Sequence, residues 1–284
     1  MTELTKIGNQ QMILLALGAV IFTIVPIAVA LIWKFRKKEP LSTVLIGAVT
    51  FVLFAIVLEK PLQNILIAPT AMGLKDHAAS TFINVRPLLW AFIVGLFPGV
   101  FEETGRLIAF KTVLKNKKNR ETSVSHGIGH GGIEVIFLVG ITYIIYLVYA
   151  AMINSGDFAL LIDQTKSVAP AQADQLYILA GQLSAFSVTD LLTGIVERVF
   201  AFLFHTGTSI LVFYACRDRK KFWLYPLAVL LHTILDFLSG LYLNGTITVP
   251  VWAFEVINGV FGAAVFFGAY LLLYKKDHAE RISE

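Results

Sequence analysis

The sequence predicts an all-α protein, a polytopic transmembrane helical bundle of about seven spans. Three observations lead there. Apolar runs long enough to cross a bilayer recur along the 284 residues. Hydrophobic residues make up 57% of the chain and charged ones only 15%, a deficit of charge that soluble domains do not show. Finally, Lys and Arg gather in short clusters after alternate apolar runs.

The first run, 12–33, carries no charge and ends at Lys34, Arg36, Lys37 and Lys38. It has a weakly charged approach and no small-residue cleavage site, so it reads as a retained span rather than a removed signal. The second span, 41–58, ends at Glu59, Lys60 and Pro61. Residues 65–86 read as an exposed loop with a short interfacial helix. The third span, 87–110, holds Pro98-Gly99 and then Glu102, Glu103 and Arg106 before the basic cluster Lys111–Arg120. Proline there frees a backbone carbonyl that lipid would penalise unless another helix or a cavity satisfies it.

The fourth span, 122–152, opens on a glycine-rich stretch. A connection over 154–182 carries Asp157, Asp163, Lys166 and Asp174, with short interfacial helices expected at 158–162 and 176–183. The fifth span, 184–214, contains Asp190, Glu197, Arg198 and His205, and ends at Arg217–Lys221. The sixth, 224–243, contains His232 and Asp236. The seventh, 249–274, ends at Lys275 and Lys276. Residues 1–284 thus read as a single integral membrane domain. Basic clusters follow spans one, three, five and seven, so the N-terminus is expected outside and the C-terminus in the cytoplasm. A net charge of +4 placed in such belts suits a membrane surface, and a nucleic-acid partner is not expected. Cys216 is alone, which excludes an intramolecular disulfide, and reads as packing.

The buried charge carries the functional signal. Two adjacent carboxylates at membrane depth cost roughly 2.5–3.5 kcal/mol each, which points to a protein-lined or wet site. Arg106 lies four residues after Glu102 and three after Glu103, within reach of either on one helix face. Counting back from the basic belts, Glu102 lies nine residues from Lys111, and His130 ten from Arg120. His205 lies twelve residues from Arg217, and His232 eleven from Lys221. At 1.5 Å per residue these depths are roughly 14–18 Å, so four helices deliver carboxylate and imidazole to one layer.

His130 sits in Gly127-Ile-Gly-His-Gly-Gly132, where absent side chains let a helix approach or a cavity open. Glu134, one turn on, can orient that imidazole. His232 and Asp236 form a second pair at four-residue spacing. His126, near the cytoplasmic mouth, reads equally as a solvated or capping residue and as a member of the site. Glu197 with Arg198 reads as an interhelical pair, and Asp190 and Glu255 lie too near the outer interface to single out. One deprotonated glutamate can activate water while its neighbour pairs with Arg106, and histidines can transfer protons or stabilise an oxyanion. Peptide-bond hydrolysis needs no more than this set. A serine mechanism lacks support, since Ser209 one turn beyond His205 has no Gly-x-Ser-x-Gly around it. His130, Glu134, His205 and His232 are also candidate ligands for Zn²⁺ or another divalent ion, although no His-Glu-x-x-His is present.

Four motifs together resemble a bacterial family of intramembrane proteases. They are Glu102-Glu-Thr-Gly-Arg106, the run from His126 to Glu134, the segment Glu197-Arg198 to His205, and His232-Thr-Ile-Leu-Asp236. That family is related to the CAAX prenyl-protein endopeptidases and to the superfamily of the gamma-secretase scaffold subunit. The resemblance spans nearly the whole chain. It implies a multi-pass protein of the bacterial cytoplasmic membrane acting on membrane-embedded or lipid-anchored protein substrates. It also implies Glu102 or Glu103 as the water-activating glutamate, Arg106 closing that motif, and His130, His205 and His232 as the site histidines. Asp236 stands where the prenyl-protein proteases usually carry asparagine. An ionised aspartate cannot donate a hydrogen bond to an oxyanion, so its role must be to orient His232, to touch a metal, or to act protonated. Longer spacing after His130 argues against assuming a prenylated substrate. A non-catalytic scaffold and a proton- or ion-coupled transporter are the competing readings, since buried carboxylates and histidines also serve relays.

Overall fold

The computed structural model describes residues 4–277, and among these every regular element is a helix. Seven helices are long and apolar enough to cross a membrane. They are α1 (Asn9–Lys37), α2 (Leu41–Ile67), α4 (Pro87–Lys111), α5 (Glu121–Ser155), α8 (Val188–Arg217), α9 (Leu224–Leu243, whose membrane stretch begins at Arg219) and α10 (Val251–Lys275). Three shorter α-helices, α3 (Ala78–Asn84), α6 (Asp157–Val168) and α7 (Pro170–Ala185), and a 3-10 turn over Pro69–Met72 lie between them.

Several boundaries differ from expectation, each for a local reason. Helix α2 does not stop at residue 58. It passes through a wide turn over Val52–Glu59 and continues, with Pro61 near the start of the next α-helical stretch, where its missing N–H does least harm. Residues 154–182 form two full helices rather than two short interfacial pieces. Gly156, at φ 94°, supplies the left-handed residue that ends α5. Helix α8 starts at Val188 because Ser187 and Asp190 cap it reciprocally: the Ser187 N–H donates to Asp190 Oδ2 (2.9 Å), and the Asp190 N–H donates to Ser187 Oγ (3.3 Å). Asp190 is therefore a capping residue.

Helix α4 runs through Pro98 unbroken. The carbonyl that Pro98 frees is that of Val94, and it accepts from Gln63 Nε2 of α2 at 3.2 Å. The neighbouring helix thus meets the demand that proline creates.

The described residues form two compact units, and α1, α5 and α8 contribute to both. One unit comprises residues 4–27 and 135–195, with a core around Leu15, Phe22, Tyr143, Phe158 and Leu183. Asn154 ties its N-terminal strand of chain, accepting from the Ile7 N–H (2.8 Å) and donating to the Ile7 carbonyl (3.0 Å).

The other unit comprises residues 28–134 and 196–277 and holds every residue singled out for chemistry. Small residues set its spacing, as expected where lipid supplies no hydrophobic drive between helices. A Cβ on Gly99 would lie 2.8 Å from the Val229 carbonyl oxygen, and one on Gly240 2.9 Å from the Ala91 Cα, so α4 and α9 touch backbone to backbone. The glycine-rich start of α5 is wedged between two neighbours. Gly129 faces the Val44 carbonyl of α2, while Gly127 leaves room for the Thr206 Cα of α8.

Candidate active site

This wedging explains how His130 reaches the interior. With α2 and α8 both close, the His130 ring is fully buried, 5.2 Å from the His205 ring and edge-on to Phe51. From α4, Glu102, Glu103 and Arg106 project into the same region, all buried, with Glu102 at 6% exposure and the other two at zero. The ring of His232, from α9, lies 5.3 Å from that of His205.

One hydrogen-bonded network joins them. Arg106 Nη1 donates to Glu103 Oε1 (2.6 Å), which also meets His232 Nδ1 (2.8 Å). The other ring nitrogen of His232 faces Asp236 Oδ2 at 3.3 Å. On the opposite side, Arg106 Nη2 donates to His205 Nδ1 (2.7 Å), and His205 Nε2 lies 2.5 Å from Glu134 Oε2. Glu134 in turn accepts from Arg198 (3.0 Å), which also pairs with Glu197. Glu102 Oε2 stands 2.8 Å from His130 Nε2, 3.7 Å from Arg106 and 3.8 Å from His205 Nδ1.

The structure therefore brings together Glu102, Glu103, Arg106, His130, Glu134, His205, His232 and Asp236, from four spans. The two glutamates face different partners. Glu103 Oε1 is held by a guanidinium and an imidazole, whereas its Oε2 has no hydrogen-bond partner among the described residues. Glu102 is the less enclosed of the two and turns towards two histidines.

Some expectations need correction. His126 is not solvated or capping: it is fully buried, packed on Phe110, with Nδ1 3.3 Å from Ser209 Oγ. Ser209 also accepts from Arg106 Nε at 3.3 Å, so it braces the guanidinium. Glu197 and Arg198 do take part in an interhelical pair, as expected: Arg198, paired with Glu197 on its own helix, bridges to Glu134 on α5. Glu59, expected at a span boundary, is 1% exposed, lies 3.6 Å from Lys60 Nζ, and interacts electrostatically with Glu102, His232 and Asp236. Its neighbours Lys60 and Pro61 look like the end of a span, and no local signal in the chain distinguishes it from an interfacial glutamate.

The donor set also tests the metal expectation. Glu102, His130 and His205 each offer one ligand atom, all within 4.8 Å of one another and buried. Two imidazoles and one carboxylate, with a further position for water, are the ligands of catalytic zinc sites. Glu134 and His232, also expected among the ligands, fall outside this group. Glu134 faces the other nitrogen of His205, the usual place of a carboxylate that orients a metal-bound histidine. Both nitrogens of His232 face carboxylates. Arg106 donates to His205 Nδ1, so this nitrogen would have to give up that hydrogen bond to serve as a ligand.

Fold and site together define a polytopic α-helical membrane protein with a glutamate–histidine centre buried among its spans. The chain matches the family described as YhfC intramembrane metalloprotease over residues 20–258 and belongs to that family. It is similar to a Bacillus subtilis (strain 168) protein named "Uncharacterized membrane protein YhfC", with 29% identity over 245 residues, 85% of this chain and 88% of the relative. No solved structure matches it.

Proposed function

We propose that the protein is an intramembrane endopeptidase that hydrolyses peptide bonds of membrane-embedded or lipid-anchored proteins, with metal assistance. The observation that carries this reading is the buried Glu102–His130–His205 donor set, backed by Glu134 and flanked by a second glutamate. Those three residues would hold the ion, which supplies Lewis-acid polarisation of a bound water or carbonyl oxygen. The chain's own groups account for the remaining roles. Glu103 Oε2, the oxygen without a partner, is the acceptor for the proton of the attacking water. His232, in contact with Glu103, is placed to pass a proton on to the leaving nitrogen, and Asp236 keeps its ring oriented. Arg106 balances the negative charge of both glutamates. With the basic belts on the cytoplasmic side, the site lies roughly 14–18 Å from them along the helices, and cleavage falls within the bilayer. A link to the CAAX proteases, and residence in a bacterial cytoplasmic membrane with the N-terminus outside, belong to this proposal.

A second reading, a non-catalytic membrane protein of the same fold, draws on the closure of the network. Glu103, Arg106 and His130 are all fully buried, with Arg106 paired to Glu103 and His130 to Glu102, as in a purely structural clamp. One experiment separates the two. The purified protein is reconstituted in proteoliposomes with a library of membrane-spanning peptides, its metal content is measured, and products are read by mass spectrometry. The protease reading expects bound divalent metal and cleavage that stops with chelator and with Glu102→Gln. A metal-free protein that cuts nothing, or cleavage indifferent to Glu102→Gln, overturns it.

A further inference from the structure

Helices α8, α9 and α10 leave a groove of about 460 Å³ between them, separate from the glutamate–histidine centre. Its walls are apolar, formed by Leu211 of α8, Leu227 and Leu231 of α9, and Phe261, Val265 and Leu272 of α10. Trp223 and Leu272, which also line it, are 59% and 72% exposed, so the groove opens on the outer face of the unit. Its dimensions follow from the helices. The lining on α10 runs from Phe261 to Leu273, roughly 18 Å of helix, and on α9 from Trp223 to Leu231, roughly 12 Å. One leaflet of a hydrocarbon core about 30 Å thick is about 15 Å deep. The groove is therefore one leaflet long.

Charge distinguishes its two ends. Next to Trp223 the chain carries Arg219, Lys220 and Lys221, and just beyond Leu273 it carries Lys275. Lys220 and Lys275 are exposed. Cations thus flank both walls at the same end, beside an indole of the kind that marks the membrane–water interface. Gly268, in the α10 wall, has open space where a side chain would stand.

We infer that this groove is a binding site for one anionic phospholipid, an acyl chain lying along the apolar walls and the phosphate held at the Lys220–Lys275 end. A zwitterionic lipid of equal chain length fits the walls and brings the same phosphate, but its headgroup cation offsets the attraction of the lysines. The test uses delipidated protein in detergent, titrated with phosphatidylglycerol or with phosphatidylcholine of identical chains, and native mass spectrometry to count bound lipid. The inference expects phosphatidylglycerol to be retained preferentially. Lys220→Gln with Lys275→Gln should reduce that preference up to roughly 30-fold, as the loss of two cations near an anionic headgroup implies. Gly268→Leu should displace one bound lipid. Equal retention of the two lipids overturns the inference. So does an unchanged preference in the lysine variant, which alters only exposed side chains, or an unchanged lipid count in folded Gly268→Leu. None of these readouts depends on peptide cleavage or on a bound metal.

Discussion

Replacing each paired glutamate by glutamine should separate two jobs that adjacent identical residues perform. Glu103 is fully buried and accepts from Arg106 at 2.6 Å with His232 at 2.8 Å on the same oxygen. Removing one partner of a buried ion pair costs about 3–5 kcal/mol, because the remaining charge stays desolvated. Glutamine keeps an acceptor oxygen, and Arg106 keeps Glu102 at 3.7 Å, so the lower end, about 3 kcal/mol, applies. At about 2–4 °C per kcal/mol, the unfolding midpoint of Glu103→Gln should fall by roughly 6–12 °C. Glu102→Gln is different. Its nearest contact, His130 at 2.8 Å, survives as a hydrogen bond to the amide oxygen, and the guanidinium is already distant. The expected loss is about 1 kcal/mol, or roughly 2–4 °C. Cleavage should fall by about 10²–10⁴-fold in both variants, since one removes a ligand and the other a proton acceptor. Thermal unfolding in nanodiscs, followed alongside product formation, reads both quantities. If Glu103→Gln melts with the wild type while Glu102→Gln collapses, the assignment of roles is reversed and the reasoning from the network fails.

Three further outcomes follow from other contacts. Glu134→Gln leaves the ligand set intact but loosens the orientation of His205, so affinity for a divalent ion, measured by competition with a chromogenic chelator, should drop about 10–100-fold. Gly129→Leu places a side chain against the Val44 carbonyl and should abolish a monodisperse peak in size-exclusion chromatography, whereas Gly181→Ala, which meets nothing within 4 Å, should elute as wild type. Gln63→Leu strands the carbonyl freed by Pro98 and should cost about 1–3 kcal/mol in thermal unfolding without altering metal content.

Much of the architecture is local information, and the chain carries it openly. Hydropathy and the Lys/Arg clusters mark the ends of spans because the bilayer acts on each helix separately; 224–243 and the helix Leu224–Leu243 coincide for that reason. Depth is equally legible, since a helix converts residue count into distance, and the shared layer of Glu102, His130, His205 and His232 comes from counting alone. Rotation about each helix axis is another matter. It depends on which neighbour packs where, and nothing within a single span encodes it. Hence the chain shows two glutamates but not that Glu103 is clamped by Arg106 and His232 while Glu102 turns towards His130 and His205.

The same limit explains what was misread. His126 looks like a mouth residue by depth, yet Phe110 and Ser209 enclose it. Glu59 looks like a boundary because Lys60 and Pro61 follow it, yet α2 continues and buries it. Glu134 has the chemistry of a ligand but stands on the far nitrogen of His205. The sequence by itself determined that Glu102, Glu103, His130, His205 and His232 share a buried layer, because polar groups at that depth have a cost that only a site offsets. The tertiary structure decided which of them face one another, because that is settled by close approach between helices distant in the chain.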